Sequence, residues 1–286
     1  MNSDVAIYTG KTHAVCQDYA RASNNLAIIS DGCSGSPDSD FGARILVKTA
    51  EREIQSATLA NRDFVNAEFF RSLAYSAKSN AKNLGLSSQC VDATLGYVVA
   101  PINNYQCVRA QLFGDGYIAV GMKDQFNEIR VYRVEYESSY PFYLNYVTNH
   151  DLMDRWLSGS DLKAKGQVKM FSFFYDEFQS IGTLEVTDAT QFNEIETWVV
   201  EEKIEKVKWV AVMSDGVDAF VKKQVTDTSK KFEPVSDIDV LRQMLNFKNF
   251  KGEFVKRRMN RFMDDNAARG WVNNDDVSIG VVYLGA

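Results

Sequence analysis

The sequence predicts an α+β fold in which helices cover stacked antiparallel sheets, and three observations carry that expectation. Strand-like runs come in a block, "DATLGYVVA", "YQCVRAQLF", "YIAVGMK" and "EIRVYRVEY", separated only by turn-rich "PINN", "GDG" and "KDQFN". Strands joined by so few residues must run antiparallel. Helical periodicities fall between such blocks instead of alternating with single strands, which separates this layering from a parallel α/β one. With 286 residues, 45% of them hydrophobic and only 4 prolines, the chain can bury a large core and has no linker to divide it. One domain over residues 1–286 is expected.

The elements follow in order. "DVAIYTG" and "NLAIIS" read as short strands. A helix is predicted from about Ser39, because Ala43, Val47, Ala50 and Ile54 recur at spacings of four, three and four. A second fits "DFVNAEFFRSLAYSAKSNAKNLG", closed by a glycine suited to a C-cap. After the four-strand block comes an irregular insertion over about 140–190. There "YPFYLNY" and "HDLMDRWLSG" fit neither period, while "MFSFFYD" and "GTLEVTD" read as strands whose aromatics belong to the core. "TWVVEE" and "KWVAVMS" are further strands. "SDIDVLRQMLNF" opens with Ser236 as N-cap and Asp239 three residues on, a weak capping box. In "EFVKRRMNRFMDDNAARG", Val255, Met259, Phe262 and Met263 share one face, which leaves Lys256, Arg257, Arg258 and Arg261 as a solvated one. "DVSIGVVYLGA" is the closing strand.

Composition excludes several functions. A net charge of −6 argues against a nucleic-acid partner, which needs a basic face. The N-terminus has no signal-peptide core and no apolar run is long enough for a bilayer, so a cytoplasmic protein without a membrane partner is expected. The 4 cysteines form no CxxC pair. With only His13 and His150, a zinc site built from several imidazoles is impossible. Neither a GxSxG elbow nor a P-loop occurs.

Aspartates mark the strand ends. "LAIISDGCSGS" breaks from an apolar run onto Asp31-Gly32, "VAVMSDGVDAF" does so at Asp215-Gly216, and "AQLFGDGYIAV" holds Asp115-Gly116. "NNDDVSIGVVYL" opens its run with Asp275 and Asp276. Taken singly, Asp115-Gly116 is a hairpin turn, Asp31 and Asp215 are caps, and the last pair are loop charges. Converging at one sheet edge, they would repel one another unless cations occupied the site. Hard ions such as Mg²⁺ and Mn²⁺ take carboxylates, backbone carbonyls and water.

The order and spacing of these blocks resemble the metal-dependent protein phosphatases of the protein phosphatase 2C-like (PPM) family, in a bacterial branch. "GKTHAVCQDYA" resembles its N-terminal Asp block, "SDGCSGSPDSDFGARI" its "DG(H/M)GG" block, and "DATLGYVVA…FGDGYIAV" its "TTL…GDG" hairpin. "AVMSDGVDAF" and "DDVSIGVV" resemble its "SDG" and "D(D/N)xT/S" blocks. The resemblance implies a sandwich of two antiparallel β-sheets flanked by helices on both sides. It implies two Mn²⁺ or Mg²⁺ ions, bridged by Asp31, with the Gly32 carbonyl on one of them. Asp215 and Asp275 would complete the first ion's carboxylates, Asp18 would hold waters of the second, and Asp115 with Asp215 would bind a looser third. His13, or Lys11, would contact phosphate. The implied reaction is hydrolysis of phosphoserine or phosphothreonine by in-line attack of an activated water. The implied partner is a phosphorylated protein, a cognate kinase or its substrates, acted on by a monomer.

Departures from the family pattern bear on these roles. Gln17 stands where many members carry Glu, which implies weaker retention of the second ion. His13 replaces an Arg, and Cys33 stands where some relatives have a His. Gln17 and His13 keep open a phosphatase-like module that binds or regulates a phosphorylated partner with little catalysis. A metal-dependent phosphatase for small phosphoesters is a third reading.

Overall fold

Alternation within single strands sorts the apolar residues into three cores, and the cores define the layers. A computed structural model of the chain describes every residue except 61, 102–105, 125–126, 137–140, 150, 155–165, 175–177, 186–194, 226–229 and 286. In chain order the elements are β1 (Asn2–Tyr8), β2 (Asp18–Ser23), β3 (Leu26–Asp31), α1 (Ser39–Leu59), α2 (Ala67–Asn83), β4 (Leu95–Val99) and β5 (Cys107–Phe113). Then come β6 (Gly116–Met122), β7 (Ile129–Glu135), β8 (Gln167–Phe173), β9 (Phe178–Glu185), β10 (Trp198–Lys203), β11 (Val207–Met213) and β12 (Phe220–Val225). The last are β13 (Lys230–Pro234), α3 (Asp237–Met244), α4 (Phe254–Ala268), β14 (Trp271–Asn273) and β15 (Val277–Tyr283).

One sheet has seven strands in the order β1-β15-β11-β6-β7-β8-β9, and the other has five, β10-β5-β4-β3-β2. A small third sheet orders β13-β12-β14. In β3, Ala27 and Ile29 point between the large sheets, against Ile118, Val120, Val210 and Val212. Leu26 and Ile28 point outward and pack under α1 and α2. On the far side, Tyr117, Ala119, Trp209 and Ala211 pack under α3 and α4. The central strands β3, β4, β6, β11 and β15 are thus apolar on both faces, as strands covered on both sides require. The expected sandwich of two antiparallel sheets between helices is what the chain forms.

Most local expectations hold. In α1, Ala43, Val47, Ala50 and Ile54 are all buried. Asn66 caps α2 by accepting from the Phe69 N–H, and Gly85 follows the helix with φ of 76°. The α4 face of Val255, Met259 and Phe262 is buried, with Lys256, Arg257 and Arg261 exposed opposite, but Arg258, expected on the solvated face, is half-buried and donates through Nε to the Gln243 carbonyl at 2.7 Å. Within 140–190, β8 and β9 extend the seven-stranded sheet, and Phe142, Phe171 and Phe173 are core. "HDLMDRWLSG" lies largely outside the described residues. No helix among them is long and apolar enough to cross a membrane.

Two further expectations fail. Ser236 does precede α3, but its side chain makes no cap hydrogen bond, so the capping box is not formed. More consequentially, "GDG" is not a hairpin turn. β5 pairs with β4 and β10, whereas β6 pairs with β7 and β11. The three residues form a corner that carries the chain from one sheet to the other. A short turn dictates reversal of direction but not which ladder the next strand joins. The corner needs its glycines: Gly114 and Gly116 have φ of 86° and 130°. A Cβ on Gly116 would come within 2.5 Å of the Met213 carbonyl oxygen.

Candidate metal centre

The sheet crossing sets acidic residues from opposite layers around one cleft. β2 begins at Asp18 and β3 ends at Asp31, and the two are directly paired in the antiparallel register. Asp115 sits at the corner between sheets. Asp215 follows β11 and opens the 3-10 turn Asp215–Ala219. Asp31, Gly32, Asp115, Asp215, Asp275 and His13 all line the cleft, with Gln17 and Cys33 beside them.

Asp18 lies beneath the cleft and is 1% exposed. Ser214 Oγ donates to its Oδ2 at 2.8 Å and accepts from the Ser278 N–H at 2.9 Å, which ties β11 and β15 to the acid. Asp18 Oδ1 is buried with no hydrogen-bond donor among the described residues. Such an orphan lone pair is costly unless a cation or an ordered water meets it.

Burial pushes Asp18 and Asp115 up to about 7 and raises Asp31 and Asp215 as well, Asp31 well above the usual carboxylate range. Repulsion adds to burial in each case: Asp31 feels Asp18, Asp215 and Asp115, and Asp215 feels Asp275. Carboxylates in this state favour protons or cations. The donors are all hard oxygens, the chemistry of Mg²⁺ or Mn²⁺ rather than zinc. Among the described residues, no three His, Cys, Asp or Glu side chains are grouped so as to hold one ion between them.

The basic residues fall out differently. His13 is held between two acids, with Nδ1 2.9 Å from Asp276 Oδ2 and Nε2 3.5 Å from Asp275 Oδ1. The close Asp276 carboxylate is the main cause of its raised pKa. Lys11 is exposed and is not part of the cleft lining, and its N–H donates to the Asn273 carbonyl. Neither Lys nor Arg lines the cleft among the described residues.

Several contacts that build the site carried no signal in the sequence. Asp276, 2% exposed, accepts from the N–H groups of Gly10 and Gln17 at 2.7 and 2.6 Å and so pins the loop bearing His13. The pair Asp275-Asp276 was visible, but not which of them faces inward. Thr94 Oγ1 accepts from the Asp31 N–H at 3.0 Å. Gln17 Nε2 donates to Ser39 Oγ at 2.8 Å, at the start of α1. Arg133 forks to Asp218 at 3.0 Å and to Asp237 at 3.1 Å, fastening the turn that begins at Asp215 to β7 and α3.

The family model described as protein phosphatase 2C matches residues 9–263. No curated protein matches the sequence. Among solved structures, the Mycobacterium tuberculosis serine/threonine phosphatase PstP/Ppp is similar with a TM-score of 0.52 at 12% identity, covering 100% of this chain and 99% of that one. Staphylococcus aureus serine/threonine phosphatase Stp1 gives 0.52 at 10% identity, covering 99% and 95%. The catalytic domain of PstP in complex with two manganese ions gives 0.50 at 12% identity, covering 99% and 97%. At these identities the likeness is one of fold. The family match spans nearly the whole length, and on that ground the chain belongs to the protein phosphatase 2C family.

Proposed function

We propose that this protein is a Mn²⁺- or Mg²⁺-dependent protein serine/threonine phosphatase acting on phosphorylated proteins in the cytoplasm. The observation that carries the proposal is the convergence of Asp18, Asp31, Asp115 and Asp215, from both sheets, on one cleft with raised pKa values. Divalent ions held there supply charge for the phosphoryl oxygens and a water acidified for attack. In this reading Asp31, the Gly32 carbonyl, Asp215 and Asp275 would hold two ions, and Asp115 with Asp215 would hold a looser third. Asp18, buried below with Oδ1 unpartnered among the described residues, would accept from water on an ion held above it. Ser214 and Thr94 orient Asp18 and the Asp31 backbone. His13, whose pKa is raised by the Asp276 carboxylate beside it, is the one basic side chain of the described cleft lining and would offer its charge to a phosphate when protonated.

A regulatory, weakly catalytic module is the second reading. It is favoured by the absence of Lys and Arg from that lining and by His13 being engaged by two acids. Hydrolysis of a phosphothreonine peptide, after EDTA and then with Mn²⁺, separates the two. Metal-dependent turnover is the expected result. Metal binding without turnover of the peptide or of p-nitrophenyl phosphate would favour the module, and turnover of the small ester alone would point to small phosphoesters.

A further inference from the structure

At the other end of β6 and β11, about 20 Å along the strands from the carboxylates, a cavity of about 270 Å³ opens on the outer face of the seven-stranded sheet. Its floor follows from the β6–β11 register. Trp209 pairs with Gly121, and the indole lies over the bare Cα, where a Cβ would come within 2.3 Å of the ring. Phe247, from the segment after α3, meets Trp209 edge to face at 5.5 Å. Two cations edge the same cavity. The Arg242 guanidinium sits 5.7 Å from the Phe173 ring centroid, and Lys208 Nζ sits 5.8 Å from that of Phe250.

These cations have no carboxylate partner among the described residues, and Arg242 Nε is buried without an acceptor. Glu128 is the one acid in the described lining, and it already accepts from Arg130 at 3.1 Å. A buried guanidinium N–H without a partner costs free energy that an anionic ligand would recover. The rings offer stacking and edge contacts to a flat aromatic body. The volume is just under the usual range of roughly 300–1,000 Å³ for ligand pockets, which suits one or two fused rings rather than a nucleotide.

From this placement we infer that the cavity is a binding site for a small aromatic anion. The ring packs on Trp209 and Phe247, and the carboxylate or equivalent group meets Arg242 and Lys208. The site uses none of the acidic residues of the metal centre, so its occupancy is measurable without reference to phosphatase activity.

Calorimetric titration of the full chain with three probes tests this. Indole-3-acetate carries ring and charge, tryptamine the same ring with the opposite charge, and acetate the charge alone. Saturable one-to-one binding of indole-3-acetate is expected, with tryptamine and acetate each at least about tenfold weaker. Arg242→Gln should weaken indole-3-acetate by about tenfold or more. Lys208→Gln, on a strand rather than at the helix end, should weaken it by a smaller factor and supplies the charge test should the first variant fail to fold. No saturable binding of indole-3-acetate, equal affinity for tryptamine, or unchanged affinity in the folded variants would overturn the inference.

Discussion

Asp18 and Asp31 face each other directly across the β2–β3 ladder, one 1% exposed beneath the cleft and the other lining it. Like charges directly opposite on neighbouring strands are destabilising, and these two are backed by Asp115 from the corner between the sheets and Asp215 from the other sheet. In the proposed account, divalent ions offset that repulsion, and the surrounding hydrogen bonds exist to present the acids to them.

Ser214 is the first test of that support. Ser214→Ala leaves Asp18 Oδ2 and the Ser278 N–H without their partner. Mn²⁺ affinity should fall by roughly 10–100-fold, as for other groups that orient metal ligands. Stability should fall by about 1–3 kcal/mol. Isothermal titration with Mn²⁺ and urea unfolding read the two effects, and an unchanged Mn²⁺ affinity would remove Ser214 from the account.

Gly216 lets the turn bearing Asp215 press against the segment bearing Asp275 and Asp276. A Cβ there would lie 1.8 Å from the Asp276 carbonyl oxygen, a backbone atom that cannot swing aside. Gly216→Ala should therefore cost about 1–3 kcal/mol or more in urea unfolding. A variant as stable as the parent would mean the two segments are not held together this closely.

Arg133 joins Asp218 to Asp237, and its charge partly offsets the burial that raises the pKa of Asp215. Arg133→Met should weaken Mn²⁺ binding by about tenfold, the smaller end expected for a group acting through a ligand. Arg133→Lys should restore only part, because an ammonium lacks the planar fork that reaches both acids. Full restoration by Lys would reduce the role of Arg133 to charge alone.

Protons and metal should stabilise the acid cluster in competition with one another. The folded pKa values of Asp18 and Asp115, pushed up to about 7, stand above the unfolded value of 3.8. The folded state therefore holds protons that the unfolded chain releases, and in EDTA this contribution is present at acid pH and lost as pH rises from about 4 to 7. Bound cations replace those protons. The rise in Tm on adding Mn²⁺ should accordingly be larger at pH 7.5 than at pH 5.5. Equal shifts at both would contradict proton-metal competition at these acids.

The layered fold and the acidic strand ends were legible because period and turn chemistry are local. Ala43, Val47, Ala50 and Ile54 declare one helix face, and Asp31, Asp115 and Asp215 declare themselves by ending or preceding apolar runs. The "GDG" corner was misread because the partner of β6 is set by packing across the sandwich, with residues 90 positions away in β11. Ser214, Thr94 and Asp276 were silent for the same reason. A serine before "DG" or a second aspartate in "DD" acquires its role only when the strand beside it, remote in sequence, brings Asp18, Asp31 or the Gly10 N–H within reach.

The central claim is that the carboxylate cluster is an ion site, and calorimetric titration of Mn²⁺ into the EDTA-stripped protein tests it most directly, beside Asp31→Asn. The account predicts saturable binding of at least two ions per chain with release of protons, and loss of at least one of them in Asp31→Asn while the variant stays folded. Absence of binding by the parent, or identical isotherms for parent and variant, would contradict it.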